Sequence, residues 1–327
     1  MRLVTYRDVA GLHRAGALID ADNGIVDLAR AAEVMGKPTA AFSSVLSLIE
    51  AGDEALDAAR GFVARSPVAA VFPRAGVELC APIEPPPQMR DASCFELHLR
   101  QSFAAARRAR VAHLPDPEQA LRQMNTRADE RVIETFSRQP IYYKCNRFAV
   151  IGPDHDVVWP SYSKVMDFEL ELACYIGRRG KDISRERARA HIVGYTIFND
   201  FSARDAQARE MAGMLGPAKG KDFDTGNAMG PCLVTADELA DPYDLTMVAR
   251  VNGEEWGRGS TRDMRWTFED VIAHVSASET LYPGEVLGSG TVGNGCGLEQ
   301  SRYLKSGDVV ELEVEGIGVL RNRVVRP

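Results

Sequence analysis

The sequence predicts a β-rich α+β protein, with a small N-terminal α/β unit over residues 1–80 and a larger domain over 81–327. Three observations predict it. Acidic and apolar residues alternate from Asp167 to Ile176, and the apolar run Ile192–Phe198 follows, so the centre of the chain reads as paired strands, one of them two-faced. The last third alternates or runs apolar at Thr246–Val251 and Val309–Val314, with turn signals at Asn252-Gly253 and Ser306-Gly307-Asp308. The first unit sets a hairpin signal beside two helical runs.

In that unit Ala17-Leu18-Ile19 and Ile25–Leu28 flank the turn-rich Asp20–Gly24, and helical patterns follow at Phe42–Ile49 and Glu54–Val63. Nothing here carries chemistry, so it reads as scaffold or subunit contact. The proline-rich stretch Cys80–Pro87 is the boundary candidate. Ser93 and Glu96 have capping-box spacing, and Phe95, Leu99, Phe103 and Ala106 give the helix after them an apolar stripe. His98 lies at the margin of that stripe, where a histidine is usually structural or exposed. Residues 111–139 are polar, with short helices around Glu118–Met124 and Asp129–Phe136 that suggest a cover, and Pro140–Asn146 returns to a strand.

Composition narrows the function classes. A net charge of −7 over 327 residues, with no basic stripe interleaved with aromatics, argues against a nucleic-acid binder. The six cysteines are scattered without CxxC or Cys/His spacing, as expected of reduced, mostly buried thiols. Met1–Asp20 is too polar for a signal peptide and no apolar run approaches membrane-spanning length. A soluble, cytoplasmic protein is expected.

The chemistry concentrates between Asp167 and Asp205. Alternation places Phe168, Leu170 and Leu172 on one side and Glu169 and Glu171 on the other, while the second run ends in Asn199-Asp200. Two carboxylates on one strand and a third at the end of another can converge on a cation, and all-oxygen donors suit Mg²⁺, Mn²⁺ or Ca²⁺ better than zinc. Solvated glutamates on an exposed strand face would show the same pattern. Ser202 and Asp205 have capping-box spacing for a helix to Met211, on which Arg204 and Gln207 share a face. Gly216–Thr225 looks like a phosphate loop but fails that pattern, because Leu215 and Asp222 stand where Gly and Ser or Thr are needed. Gly288–Gly297 is glycine-dense, as close backbone approach or tight turns require.

Asp167-Phe168-Glu169-Leu170-Glu171 together with Gly194–Gln207 resembles the fumarylacetoacetate hydrolase family, and the similarity runs over roughly residues 85–326. The resemblance implies a catalytic domain whose mixed strands roll into a closed sandwich-like barrel, commonly as a homodimer. It implies that Glu169, Glu171 and Asp200 hold a divalent metal, Mg²⁺ or Mn²⁺ with Ca²⁺ also compatible. In the founding branch an aspartate seven residues before the base histidine is a further ligand, and Asp91 and His98 have that spacing. Another branch places a glutamate three residues after the histidine, where this chain has Gln101. The resemblance makes Lys221 (or its neighbour Lys219) the lysine near the metal, Arg204 and Gln207 substrate-orienting residues, Thr291 a substrate contact, and Glu299 the nearest candidate to pair with His98. The implied reaction is metal-dependent hydrolysis of a C–C bond in an acylpyruvate or β-diketo acid. Decarboxylation, hydration, sugar-acid dehydration and isomerisation are the family's alternatives. A metabolite-binding protein without catalysis is a reading of another class.

Overall fold

The computed structural model describes residues 1–239 and 241–327. Its largest sheet runs, in spatial order, through Val71–Pro73, Gly24–Asp27, His13–Ile19, Arg2–Arg7, Asn227–Thr235, Ile192–Asp200, Leu170–Ile176, Val286–Gly288, Met89–Ser93 and Ile141–Lys144. Most neighbours are antiparallel, but Val286–Gly288 runs parallel to Met89–Ser93. A second sheet orders Glu254–Ser260, Thr246–Val251, Val309–Val314, Gly318–Val325 and Asp156–Val158, the last pair parallel. The fold is thus strand-rich and mixed.

Two buried clusters flank the large sheet, so its central strands have no solvent face. Leu170, Leu172 and Cys174 enter one core with Met247 and Leu312 of the second sheet. Ala173 and Tyr175 enter the other with Leu48 and Phe62 of the N-terminal helices Val45–Glu50 and Asp53–Arg65. The period-two pattern therefore separates two interiors, and Glu171 sits on the side of Ala173 and Tyr175. The N-terminal hairpin joins the same sheet, with Arg2 opposite Val234 and Leu3 opposite Leu233.

Elements read from periodicity appear within a few residues of their expected bounds, including Pro117–Gln123, Arg127–Arg138 and Arg204–Met211. Asn252 and Gly253 both adopt positive φ, the backbone of a two-residue hairpin turn. The expected capping boxes do not form. Ser93 ends a strand, the helix opens at Glu96, and Glu96 binds Arg100 instead. Ser202 pairs with Asp167 across a short ladder, and Asp205 accepts from Ser163 and the Lys164 backbone. In each case another partner claims the side chain that local spacing assigned to a cap. All six cysteines are buried and free. Among the described residues no helix is long and apolar enough to cross a membrane.

Candidate active site

Three carboxylates converge where the central strands end. Asp91 comes from Met89–Ser93, Glu171 from Leu170–Ile176 and Asp200 from Ile192–Asp200; all are buried, and one oxygen from each lies within 4.8 Å of the others. Asp91 Oδ1 accepts the Gly290 N–H at 3.0 Å. That approach requires glycine, because Gly290 has φ +71° and a Cβ there would lie 2.3 Å from the Ala92 carbonyl. Thr291 Oγ1 donates to Glu171 Oε1 at 3.4 Å, and the Tyr143 hydroxyl donates to Asp200 Oδ2 at 2.5 Å.

The residues fit a hard divalent cation. Glu171 Oε2 and Asp200 Oδ1 are buried without a hydrogen-bond partner, a costly state for a carboxylate that a cation would relieve. Burial and the nearby Asp200 push Asp91 up to about 7. Burial raises Asp200 to about 6 against the pull of Lys221. Glu171 is raised by burial and by Asp91. Carboxylates that resist ionisation together are those whose charge a metal would balance.

Glu169 stands beside this group and is held by two cations. Its Oε2 pairs with Lys221, and its Oε1 lies 2.7 Å from Arg204 Nη1. Although burial opposes ionisation, Lys221 and Arg204 hold its carboxyl down at about 2. Lys221 also lies 2.6 Å from Asp200 Oδ2. The short helix Ala218–Lys221 turns Lys221 inward and leaves Lys219 exposed. Arg204 is shared: Nε donates to Asp167 Oδ2 at 2.8 Å, and Nη1 donates to Gln207 Oε1 at 3.0 Å.

Across the cavity, His98 Nδ1 lies 2.9 Å from Glu299 Oε1, and Ser102 Oγ lies 3.3 Å from Nε2. Glu299 belongs to the short helical turn Gly297–Gln300 and is held by the Cys296 N–H at 3.2 Å. The residue that positions this turn was not singled out from sequence. Asp167, fully buried, accepts the Gly297 N–H at 2.8 Å and the Leu298 N–H at 2.9 Å while binding Arg204. A Cβ at Gly297 would lie 1.9 Å from the Arg302 carbonyl, so the tight turn admits only glycine. The available signal was the alternation itself, which puts Asp167 in phase with Glu169 and Glu171.

Asp91, His98, Glu169, Glu171, Gln207, Lys221 and Thr291 line one cavity of about 290 Å³. Asp200, Arg204 and Glu299 lie behind its wall and act on those residues.

Residues 116–325, more than half of the chain, match the family described as fumarylacetoacetate (FAA) hydrolase C-terminal. The chain is 42% identical over 189 residues to the mitochondrial oxaloacetate tautomerase FAHD2A of Homo sapiens, covering 58% of this chain and 60% of that protein. The match thus spans less than two thirds of that relative. The fumarylacetoacetate hydrolase of Exiguobacterium antarcticum superposes over the full length of both chains with a TM-score of 0.74 at 26% identity. A maleylpyruvate hydrolase of Sphingobium sp. SYK-6, solved with manganese(II) and pyruvate, superposes over 100% of this chain and 99% of its own with a TM-score of 0.72; at 24% identity the likeness is one of fold. Sequence match, whole-chain superposition and clustered carboxylates lead to one conclusion: the chain belongs to the fumarylacetoacetate hydrolase family.

Proposed function

We propose that this protein is a divalent-metal-dependent hydrolase that cleaves a C–C bond in an acylpyruvate or related β-diketo acid. The observation that carries the reading is the His98–Glu299 pair, which opens on the same cavity as Asp91, Glu171 and Lys221. Asp91, Glu171 and Asp200, with Glu169 beside them, would hold Mg²⁺ or Mn²⁺, which when bound supplies Lewis-acid stabilisation of negative charge developing on the substrate.

The chain's own groups supply the rest. With Glu299 Oε1 accepting from His98 Nδ1, Nε2 is left as the acceptor. Nε2 takes a proton from water as the water oxygen bonds to the substrate's acyl carbon. The C–C bond electrons then pass to the pyruvyl fragment, and His98 returns the proton to its carbon. Lys221 places positive charge beside that fragment. Arg204 acts through Glu169 and Gln207, holding the first at a fixed charge and the second in orientation. Thr291 and Gln207 offer neutral hydrogen bonds to substrate oxygens. A cytoplasmic homodimer acting on a small-molecule acid, with residues 1–80 as an accessory unit built onto the large sheet, completes the proposal.

The 42% identity to an oxaloacetate tautomerase favours a second reading, in which His98 moves a proton between carbon and oxygen without consuming water. Mass spectrometry in ¹⁸O-water separates the two on acylpyruvates and oxaloacetate with Mn²⁺ added. Label appearing in an acid product upholds hydrolysis. Proton exchange at the substrate carbon without cleavage establishes the tautomerase instead.

A further inference from the structure

The cavity also has an apolar wall, to which Leu99, Ile141, the Tyr142 ring, Met211 and Pro217 contribute. These come from the His98 helix, the strand Ile141–Lys144, the end of the helix Arg204–Met211, and the loop after it. Among the described residues lining the cavity, Lys221 is the sole Lys or Arg, and both Glu169 and Asp200 already hold it. Arg204 does not line the cavity and is shared among Asp167, Glu169 and Gln207. Apart from His98, which Glu299 engages, the other polar lining side chains that are not carboxylates are the amide of Gln207 and the hydroxyls of Ser93, Tyr142, Tyr143 and Thr291.

A carboxylate at the far end of a substrate would leave water for this wall without a cation to receive it, and an unpaired charge against apolar side chains is strongly disfavoured. An alkyl or aryl group would bury there favourably. We infer that the wall of Leu99, Ile141, Tyr142, Met211 and Pro217 is the subsite for an uncharged, apolar substrate tail, so that the substrate is a mono-acid rather than a diacid. The inference rests on the metal-dependent reading above and narrows it to acylpyruvates with a hydrocarbon tail. Met211, 52% exposed, stands at the mouth, where a tail longer than the cavity would emerge.

The test uses the manganese-loaded protein and three unreactive ligands in calorimetry: oxalate, N-butyloxamate and N-(2-carboxyethyl)oxamate. The two oxamates share the chelating end and differ in tail charge at similar length. The butyl compound is expected to bind at least about tenfold more tightly. In Met211→Lys, which alters an exposed side chain, that ratio is expected to shrink severalfold toward the charged tail. Equal or tighter binding of the carboxyethyl compound overturns the inference, and an unchanged ratio in Met211→Lys overturns the placement of the tail at this wall. Failure of oxalate itself to bind overturns the metal-dependent reading on which the inference stands, whereas oxalate binding without tail preference overturns the inference alone.

Discussion

Asp167 Oδ2 accepts the Arg204 Nε–H at 2.8 Å, and the same carboxylate receives the backbone N–H groups of Gly297 and Leu298. One buried side chain thus ties the turn that carries Glu299 to a cation paired with Glu169. The Glu299 turn and the ion pairs of Glu169 are joined through one fully buried residue.

Replacing Asp167 with Asn removes the charge opposite Arg204 and turns one acceptor into a donor facing N–H groups. Breaking one partner of a buried ion pair costs about 3 kcal/mol or more, so the midpoint of urea unfolding is expected to fall accordingly. Turnover should fall with it, and the pH–rate profile should shift because Glu299 loses its fixed seat. An unchanged profile in folded Asp167→Asn would show the residue to be structural only.

Metal affinity should depend on pH in a stated direction. With Asp91 raised to about 7 and Asp200 to about 6, both carry protons in mildly acidic solution that a bound cation must displace. Affinity is therefore expected to drop below pH 7, by about tenfold per pH unit for each proton released. Calorimetry with Mn²⁺ from pH 5 to 8, in buffers of different ionisation enthalpy, counts those protons directly. Glu171→Gln should abolish the binding.

The stability of the metal-free protein should move the other way. Asp91 and Asp200 hold protons in the folded state up to about 7 and about 6 but start from 3.8 when unperturbed, so between those limits the folded form binds the excess protons. Their contribution is complete below 3.8 and is lost as pH rises through the folded values. Glu169, held at about 2 from 4.5, has the opposite sign: its contribution is complete above 4.5 and is lost as pH falls through about 2. Thermal unfolding of metal-free protein is thus expected at lower temperature at pH 7.5 than at pH 5.5, with a shallower slope in Asp91→Asn.

His98→Asn should lower turnover by about 10²–10⁴, the usual worth of a general base, while leaving Mn²⁺ affinity unchanged. Glu299→Gln keeps a partner for Nδ1 without its charge and should fall between that variant and the unaltered protein. Steady-state kinetics with one metal titration for each variant checks both. Full activity in His98→Asn would remove it from the chemistry.

What was legible in sequence was what local periodicity encodes. Alternation from Asp167 to Ile176 located a real strand, although Glu169 forms only an isolated bridge to Cys296 before the ladder begins at Leu170. The same alternation was read as one polar and one apolar face, whereas both sides are interior. The family resemblance named His98 and Glu299, and the fold brings them within hydrogen-bond distance across 201 positions. Asp167 escaped because its partners, Arg204, Gly297 and Leu298, are assigned by tertiary packing. The capping boxes failed for the same reason: spacing proposes a partner, but Arg100, Ser163 and the Asp167 strand compete for it.

The rim of the apolar wall and the clustered carboxylates are carried by different parts of the architecture. Asp91, Glu171 and Asp200 sit in the central sheet, where both faces are packed, while Met211 and Pro217 belong to a helix end and a loop at the rim. Substitutions at the rim can therefore accumulate at little cost to folding or to the reaction centre, while those in the sheet are constrained by two cores at once. Such a division lets one ancestral chemistry diverge among many acids: selection can retune which molecule enters without reopening how it is transformed.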